Sequence, residues 1–147
     1  VELRVKLFFP LLILSITLFS AELHFSNDYE KALKNAQKEH KLVYVLIVSD
    51  TCRWCEKFEN TTLQNAEIKE RVNKEFVTVL LSRDRHKIPK GFETSPVPRH
   101  YFVDVEGNIL YSSLGYRDEE LFDSFMDNAQ ENYIKNKDTN NESSTNK

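Results

Sequence analysis

Seven consecutive apolar residues, Leu42-Val43-Tyr44-Val45-Leu46-Ile47-Val48, constrain this chain more than any other feature. A run of that length, rich in β-branched and aromatic side chains, predicts a central strand buried on both faces. Material must then cover each face, and the flanking periodicity supplies it. Ahead of the run, Tyr29, Ala32, Leu33 and Ala36 recur at spacings of three and four behind the N-cap candidates Ser26-Asn27-Asp28. That pattern predicts an amphipathic helix to about Lys41. Behind the run, Ser49-Asp50-Thr51 breaks the strand and Cys52 to about Asn60 reads as helix.

The pattern continues in the same alternation. Asn65 caps a further helical stretch with Ile68, Val72 and Phe76 on one face, and Phe76 to Leu81 is a second strand. The polar segment 82–96, with Arg83-Asp84-Arg85-His86, reads as a connecting loop that is solvated or docks a partner. Val97 to Val105 is a strand with Pro98 near its start, Glu106-Gly107-Asn108 a turn, and Ile109 to Ser113 the returning hairpin strand. Asp118 opens a final helix with Leu121, Phe122, Phe125, Met126 and Ala129 as its apolar stripe. A buried strand feeding a helix and then a strand implies a parallel βαβ unit, to which the hairpin adds an antiparallel pair.

Both ends of the chain differ from this middle. Arg4 and Lys6 precede an apolar run from Leu7 to Phe19, followed by Ser20 and Ala21, the layout of a signal peptide. The run is shorter than the roughly 20 residues a membrane span needs. The cleavage site is imperfect, so an uncleaved anchor is the alternative. After Ile134 no large apolar residue follows, and 135–147 reads as a disordered polar tail. The expected organisation is a leader at 1–21, one folded domain at 22–134 and the tail. Without the leader the chain carries 18 basic and 22 acidic residues, a net charge of −4 with both signs interspersed. Nothing in that balance argues for nucleic-acid binding.

All the cysteine in the chain is Cys52 and Cys55, three positions apart. A disulfide between them closes almost no loop and so stabilises little by constraining the unfolded chain. In an exported protein such a pair is chemical rather than structural. At the start of a helix, unpaired N–H groups and the helix dipole favour an anion at Cys52, the attacking sulfur. Cys55, one turn deeper, is the buried resolving thiol. Arg53 lowers the Cys52 pKa or is merely solvated, while Asp50 raises it. Trp54 is a lid or substrate platform, or else an ordinary packing residue.

With these residues assembled, Ser49-Asp50-Thr51-Cys52-Arg53-Trp54-Cys55-Glu56-Lys57-Phe58 and the strand at Phe76 resemble the thioredoxin superfamily. Thr51-Cys52-Arg53-Trp54-Cys55, the helix after Asn65 and Arg83-Asp84-Arg85 resemble its branch with a Cys-His-Trp-Cys motif. The resemblance covers roughly Glu22 to Tyr133. It implies an α/β fold, a thioredoxin-like three-layer α/β/α sandwich with a mixed sheet. It also implies a cis proline facing the cysteines, at Val97-Pro98 with Pro96 as the alternative, which offers backbone hydrogen bonds to an extended substrate; two trans prolines ending a loop are the plain reading. The buried acid of reducing thioredoxins is replaced by Leu46, so water or Glu56 would have to take the Cys55 proton. The Gly-Pro between their cysteines is replaced by Arg53-Trp54.

Metal is not expected, because a structural zinc needs four ligands and there is no second cysteine pair. No cofactor is expected either. His24, His40 and His86 read as solvated, and His100 could point toward the site. The expected activity is thiol–disulfide exchange on cysteine-containing exported proteins by a periplasmic or secreted monomer. A reductase recharged by a membrane electron donor is the leading variant. The alternative is a thioredoxin-fold binding or metal-docking module with an inert cysteine pair.

Overall fold

The computed structural model describes residues 22–145, with side chains through residue 141, so the leader expected at 1–21 lies outside the described residues. Helix α1 (Tyr29–Glu39) begins at Asp28, whose carboxylate accepts the Lys31 N–H at 3.0 Å. Strand β1 (Leu42–Val48) follows, with all seven residues buried. Next come α2 (Arg53–Asn60), a single 3₁₀ turn at Thr62–Gln64, α3 (Ala66–Glu75) and β2 (Phe76–Ser82). The hairpin is β3 (Arg99–Val103) and β4 (Ile109–Leu114), and α4 (Glu119–Thr145) ends the described chain.

One mixed sheet in the order β2-β1-β3-β4 organises these elements. β1 runs parallel to β2, Leu42 opposite Phe76 through Val48 opposite Ser82. β3 is antiparallel to β1 and to β4. Ser26 adds a parallel bridge outside β2, donating to the Thr78 carbonyl and accepting from Leu80 N–H.

Alternation along β1 divides the core as a strand buried on both faces must. Leu42, Tyr44, Leu46 and Val48 face Phe58 of α2, Ile68 and Val72 of α3, and Phe122 and Met126 of α4. Val43, Val45 and Ile47 face Ala32 and Ala36 of α1. Burying each such aliphatic side chain contributes about 1.5–3 kcal/mol, so β1 anchors both halves of the core. Among the described residues, no second helix packs on the α1 face. Ile88 and Phe92, from the segment between β2 and β3, complete it instead.

Two expectations need correction. The proline-started strand begins at Arg99, not Val97, so Val97 and Pro98 sit in the turn that enters it. The polar tail placed at 135–147 is helical to Thr145. Neither Gly nor Pro occurs after Gly115 to stop the helix. Local contacts extend it: Lys135 pairs with Glu131 one turn back, Lys137 lies over the Tyr133 ring, and Thr139 donates to the Lys135 carbonyl at 2.7 Å. Among the described residues, no helix is long and apolar enough to cross a membrane.

Candidate redox site

The chain leaves the sheet at Val48, whose carbonyl is held by Arg83 N–H at 2.9 Å, and crosses to α2 through Ser49-Asp50-Thr51. Cys52 is the N-cap of α2, with extended backbone (φ −122°, ψ 95°). Its carbonyl accepts Glu56 N–H at 3.0 Å, and its Sγ accepts Cys55 N–H at 3.1 Å. That geometry is a Ser or Asp cap with sulfur in place of oxygen. An otherwise unpaired helix N–H thus points at the sulfur, where negative charge on it would be stabilised.

Cys52 and Cys55 are joined as a disulfide, their Cα atoms 5.2 Å apart, within the span such a bond bridges without moving backbone. Cys55 is buried at 2% exposure and packs with Phe58 and Val48, whereas Cys52 is partly exposed. The sulfurs therefore occupy unequal positions, one reachable and one behind it. Trp54, between them, is 48% exposed. Its ring lies 6.1 Å from that of Tyr116. Arg53 places its guanidinium over the Trp54 ring at 5.5 Å.

Asp50 is engaged with the loop after β2. Its Oδ1 accepts from the Ser82 hydroxyl at 2.6 Å and from Arg85 Nε at 2.7 Å, and its N–H donates to Asp84 at 2.7 Å. The Ser82 hydroxyl, then Arg85, hold its carboxyl below the ordinary carboxylate value. The charged segment Arg83-Asp84-Arg85 is thus stapled to the turn that delivers Cys52. His86, read from sequence as solvated, accepts Ser82 N–H at Nδ1 (2.9 Å) and belongs to the same staple.

Val97-Pro98 is a cis peptide, as is Ser95-Pro96. Arg99 faces Ile47 across the β1–β3 pair, and one further step of that register sets Pro98 against Val48. The proline turn therefore lies at the same end of the sheet as the cysteines. Val97 and Cys52 both pack on the margin of the same core cluster. The Pro98 carbonyl accepts Gly115 N–H at 2.8 Å, which ties the turn to the β4–α4 junction.

Two residues here were not singled out by sequence. Glu59 lies one turn after Cys55 and lines, with Cys52, Cys55 and Leu80, a cleft of about 720 Å³. Burial, then the neighbouring Glu56, push its carboxyl above the ordinary value. The sequence signal was its i,i+4 spacing from Cys55, which Glu56 does not share. Tyr116 is the second; nothing local announces it, because its partner Trp54 is 62 positions away.

His100 lies on the sheet face that α2 covers, but its ring nitrogens bond to Tyr44 and Gly115 rather than to either cysteine. It is fully buried, with Phe58 against its ring at 4.7 Å. Its Nε2 meets the Gly115 carbonyl at 2.9 Å and its Nδ1 the Tyr44 hydroxyl at 2.9 Å. A carbonyl only accepts, so Nε2 carries the proton, Nδ1 is the acceptor and the Tyr44 hydroxyl donates. Burial pushes the His100 pKa down to about 4. Among the described residues, no group of three or more His, Cys, Asp or Glu is placed to hold a metal ion.

Comparison with known proteins agrees with this geometry. The profile of a family described as a thioredoxin-like domain matches residues 29–130. Spermatogenesis-associated protein 20 of Rattus norvegicus is 34% identical over 66 residues, which are 44% of this chain and 8% of that protein. The Homo sapiens protein of the same name is 33% identical over the same shares. This chain thus spans only a small part of those curated relatives. Among solved structures, DsbH oxidoreductase superimposes with a TM-score of 0.61 at 21% identity, over 75% of this chain and 85% of that one. A thioredoxin from Thermus thermophilus gives 0.58 at 21% identity, over 77% and 88%. The oxidised C-terminal domain of DsbD from Neisseria meningitidis gives 0.56 at 20%, over 71% and 97%. At those identities the likeness is one of fold.

Proposed function

Because this chain belongs to the thioredoxin-like domain family, we propose that it is a thiol–disulfide oxidoreductase acting on disulfides of exported proteins, in the reducing direction. One observation carries the reading. The partly exposed Cys52 sulfur caps α2 and accepts the Cys55 N–H, with the Cys55 sulfur buried directly behind it.

In the reduced form, the Cys52 thiolate attacks one sulfur of a substrate disulfide. A Cys52–substrate mixed disulfide forms, and the other substrate sulfur leaves as a thiolate that takes a proton from water. Cys55 then loses its proton to Glu59, whose raised affinity for protons suits it to that task. The Cys55 thiolate attacks Cys52 Sγ, expels the second substrate thiolate and closes the Cys52–Cys55 disulfide. Two electrons pass from the protein dithiol to the substrate, and a membrane dithiol donor restores them. Trp54, Val97 and Pro98 flank the substrate, the proline turn supplying backbone for an extended chain. Arg53 and the helix N-terminus favour the Cys52 anion, while the Asp50 charge is drawn off toward Arg85.

The reducing direction is supported by the direct passage from α2 through one 3₁₀ turn to α3, with no inserted helical domain of the kind expected in dedicated oxidases. Export rests on the character of residues 1–21. Insulin reduction driven by a small dithiol tests the activity. Turnover should be lost in Cys52→Ser, and equal rates in the two proteins would remove the proposal. The potential of the pair tests direction: near −270 mV favours a reductase, near −120 mV an oxidase.

A further inference from the structure

Helix α2 separates its charges. Asp50, Glu56 and Glu59 line the cleft toward Leu80 together with Arg53 and with Arg85, which pairs with Asp50. On the opposite side, toward Tyr116, stands Lys57. Its ammonium lies 4.4 Å from the centre of the Tyr116 ring and 5.2 Å from that of Trp54. Arg53 lies over Trp54 from its other neighbour position. Among the described residues, neither Arg53 nor Lys57 makes an ion pair. The result is a shelf of two rings with the Lys57 cation against both, and with Arg53 over Trp54 at the border between the shelf and the cleft.

The shelf is joined to the rest of the site through covalent and hydrogen-bonded neighbours. Tyr116 follows Gly115, whose N–H is bonded to the Pro98 carbonyl. The Tyr116 hydroxyl meets the Thr61 hydroxyl at the end of α2, at 3.5 Å. A chain laid along the proline turn and past Cys52 therefore runs onto the shelf. Cation–π contact holds the Lys57 head in place before anything binds, so little side-chain freedom remains to be lost when an anion arrives. A cation in contact with ring faces still has open hydrogen-bonding positions toward solvent.

We propose that the Trp54–Tyr116 shelf with Lys57 and Arg53 selects polypeptide disulfides that carry an acidic residue beside the attacked cysteine. This rests on the oxidoreductase reading above and names the substrate class for the same site. A carboxylate next to the substrate sulfur sits against Lys57 and Arg53, while the apolar part of the neighbouring side chains lies on the rings. A basic residue in that place meets two like charges.

The test uses the reduced full chain in single turnover with three peptide disulfides that differ only beside the cysteine, carrying Glu, Gln or Lys. Each rate is divided by the rate with dithiothreitol, which removes the intrinsic effect of the flanking charge on the disulfide. The Glu peptide should react on the order of fivefold faster than the Lys peptide at low salt. The preference should fade in 1 M salt, where charges are screened beyond roughly 3 Å. Lys57→Gln with Arg53→Gln should bring the Glu:Lys ratio close to one. Rapid reduction of all three peptides with no Glu preference, or a preference indifferent to salt and to both substitutions, overturns the inference and leaves the oxidoreductase reading standing. Failure to reduce any of them overturns that reading, and this inference with it.

Discussion

Lowering the pH from 7.5 to 4.5 sets the burial of His100 against its affinity for a proton. In the folded chain the ring is enclosed by Tyr44, Phe58 and Phe122, with both nitrogens bonded. A second ring proton would put a donor against the Tyr44 hydroxyl, which already donates there, and would place the charge on a fully buried ring. The folded pKa is about 4, the ordinary value 6.5, with burial the principal cause. Between those values the unfolded chain binds more protons than the folded one, so stability is complete above pH 6.5 and falls as the medium is acidified. Weighing the two titrations at pH 4.5 against pH 7.5 gives a loss of roughly 2.5 kcal/mol from this one side chain. Glu59 acts with opposite sign, since its raised carboxyl binds protons more readily when folded. Asp50, held low by Ser82 and Arg85, contributes stability that is lost only below about 3.8, outside this range. The measurement is guanidinium unfolding of the disulfide form at several pH values, for wild type and His100→Gln. Gln keeps a donor for Gly115 and cannot be charged, so the variant should be weaker at pH 7.5 but lose roughly 2.5 kcal/mol less on acidification. Parallel losses in the two proteins would refute a neutral, buried His100.

Two further outcomes follow from the site and its support. Glu59→Gln should slow resolution of a trapped Cys52 mixed disulfide on the order of 10²-fold while leaving its formation less affected. The wild-type rate should rise with pH as Glu59 ionises, a limb the variant lacks; quenched-flow kinetics across pH checks both. Phe58→Ala, which empties the space between His100 and Phe122 at the back of α2, should cost about 3–5 kcal/mol in the same unfolding assay.

What the sequence determined by itself was most of what local rules govern. Continuous apolarity required Leu42–Val48 to be central, short-range periodicity placed α1 and α3, and Asp28 and Asn65 are caps because their side chains reach N–H groups two or three residues on. Cys52 and Cys55 can bond because a helix brings i and i+3 together. Past Ile134, polar composition argues for a disordered tail while the i,i+4 pairs in the same stretch favour helix. What only the tertiary structure decided involves partners that no spacing announces. Tyr44 and Gly115 select the His100 tautomer, Ser82 and Arg85 claim Asp50, and Tyr116 meets Trp54 and Lys57. These pairs are 15 to 62 positions apart. A buried or stacked polar group takes its character from whatever the sheet order and helix packing set beside it, and that adjacency exists only once the chain has folded.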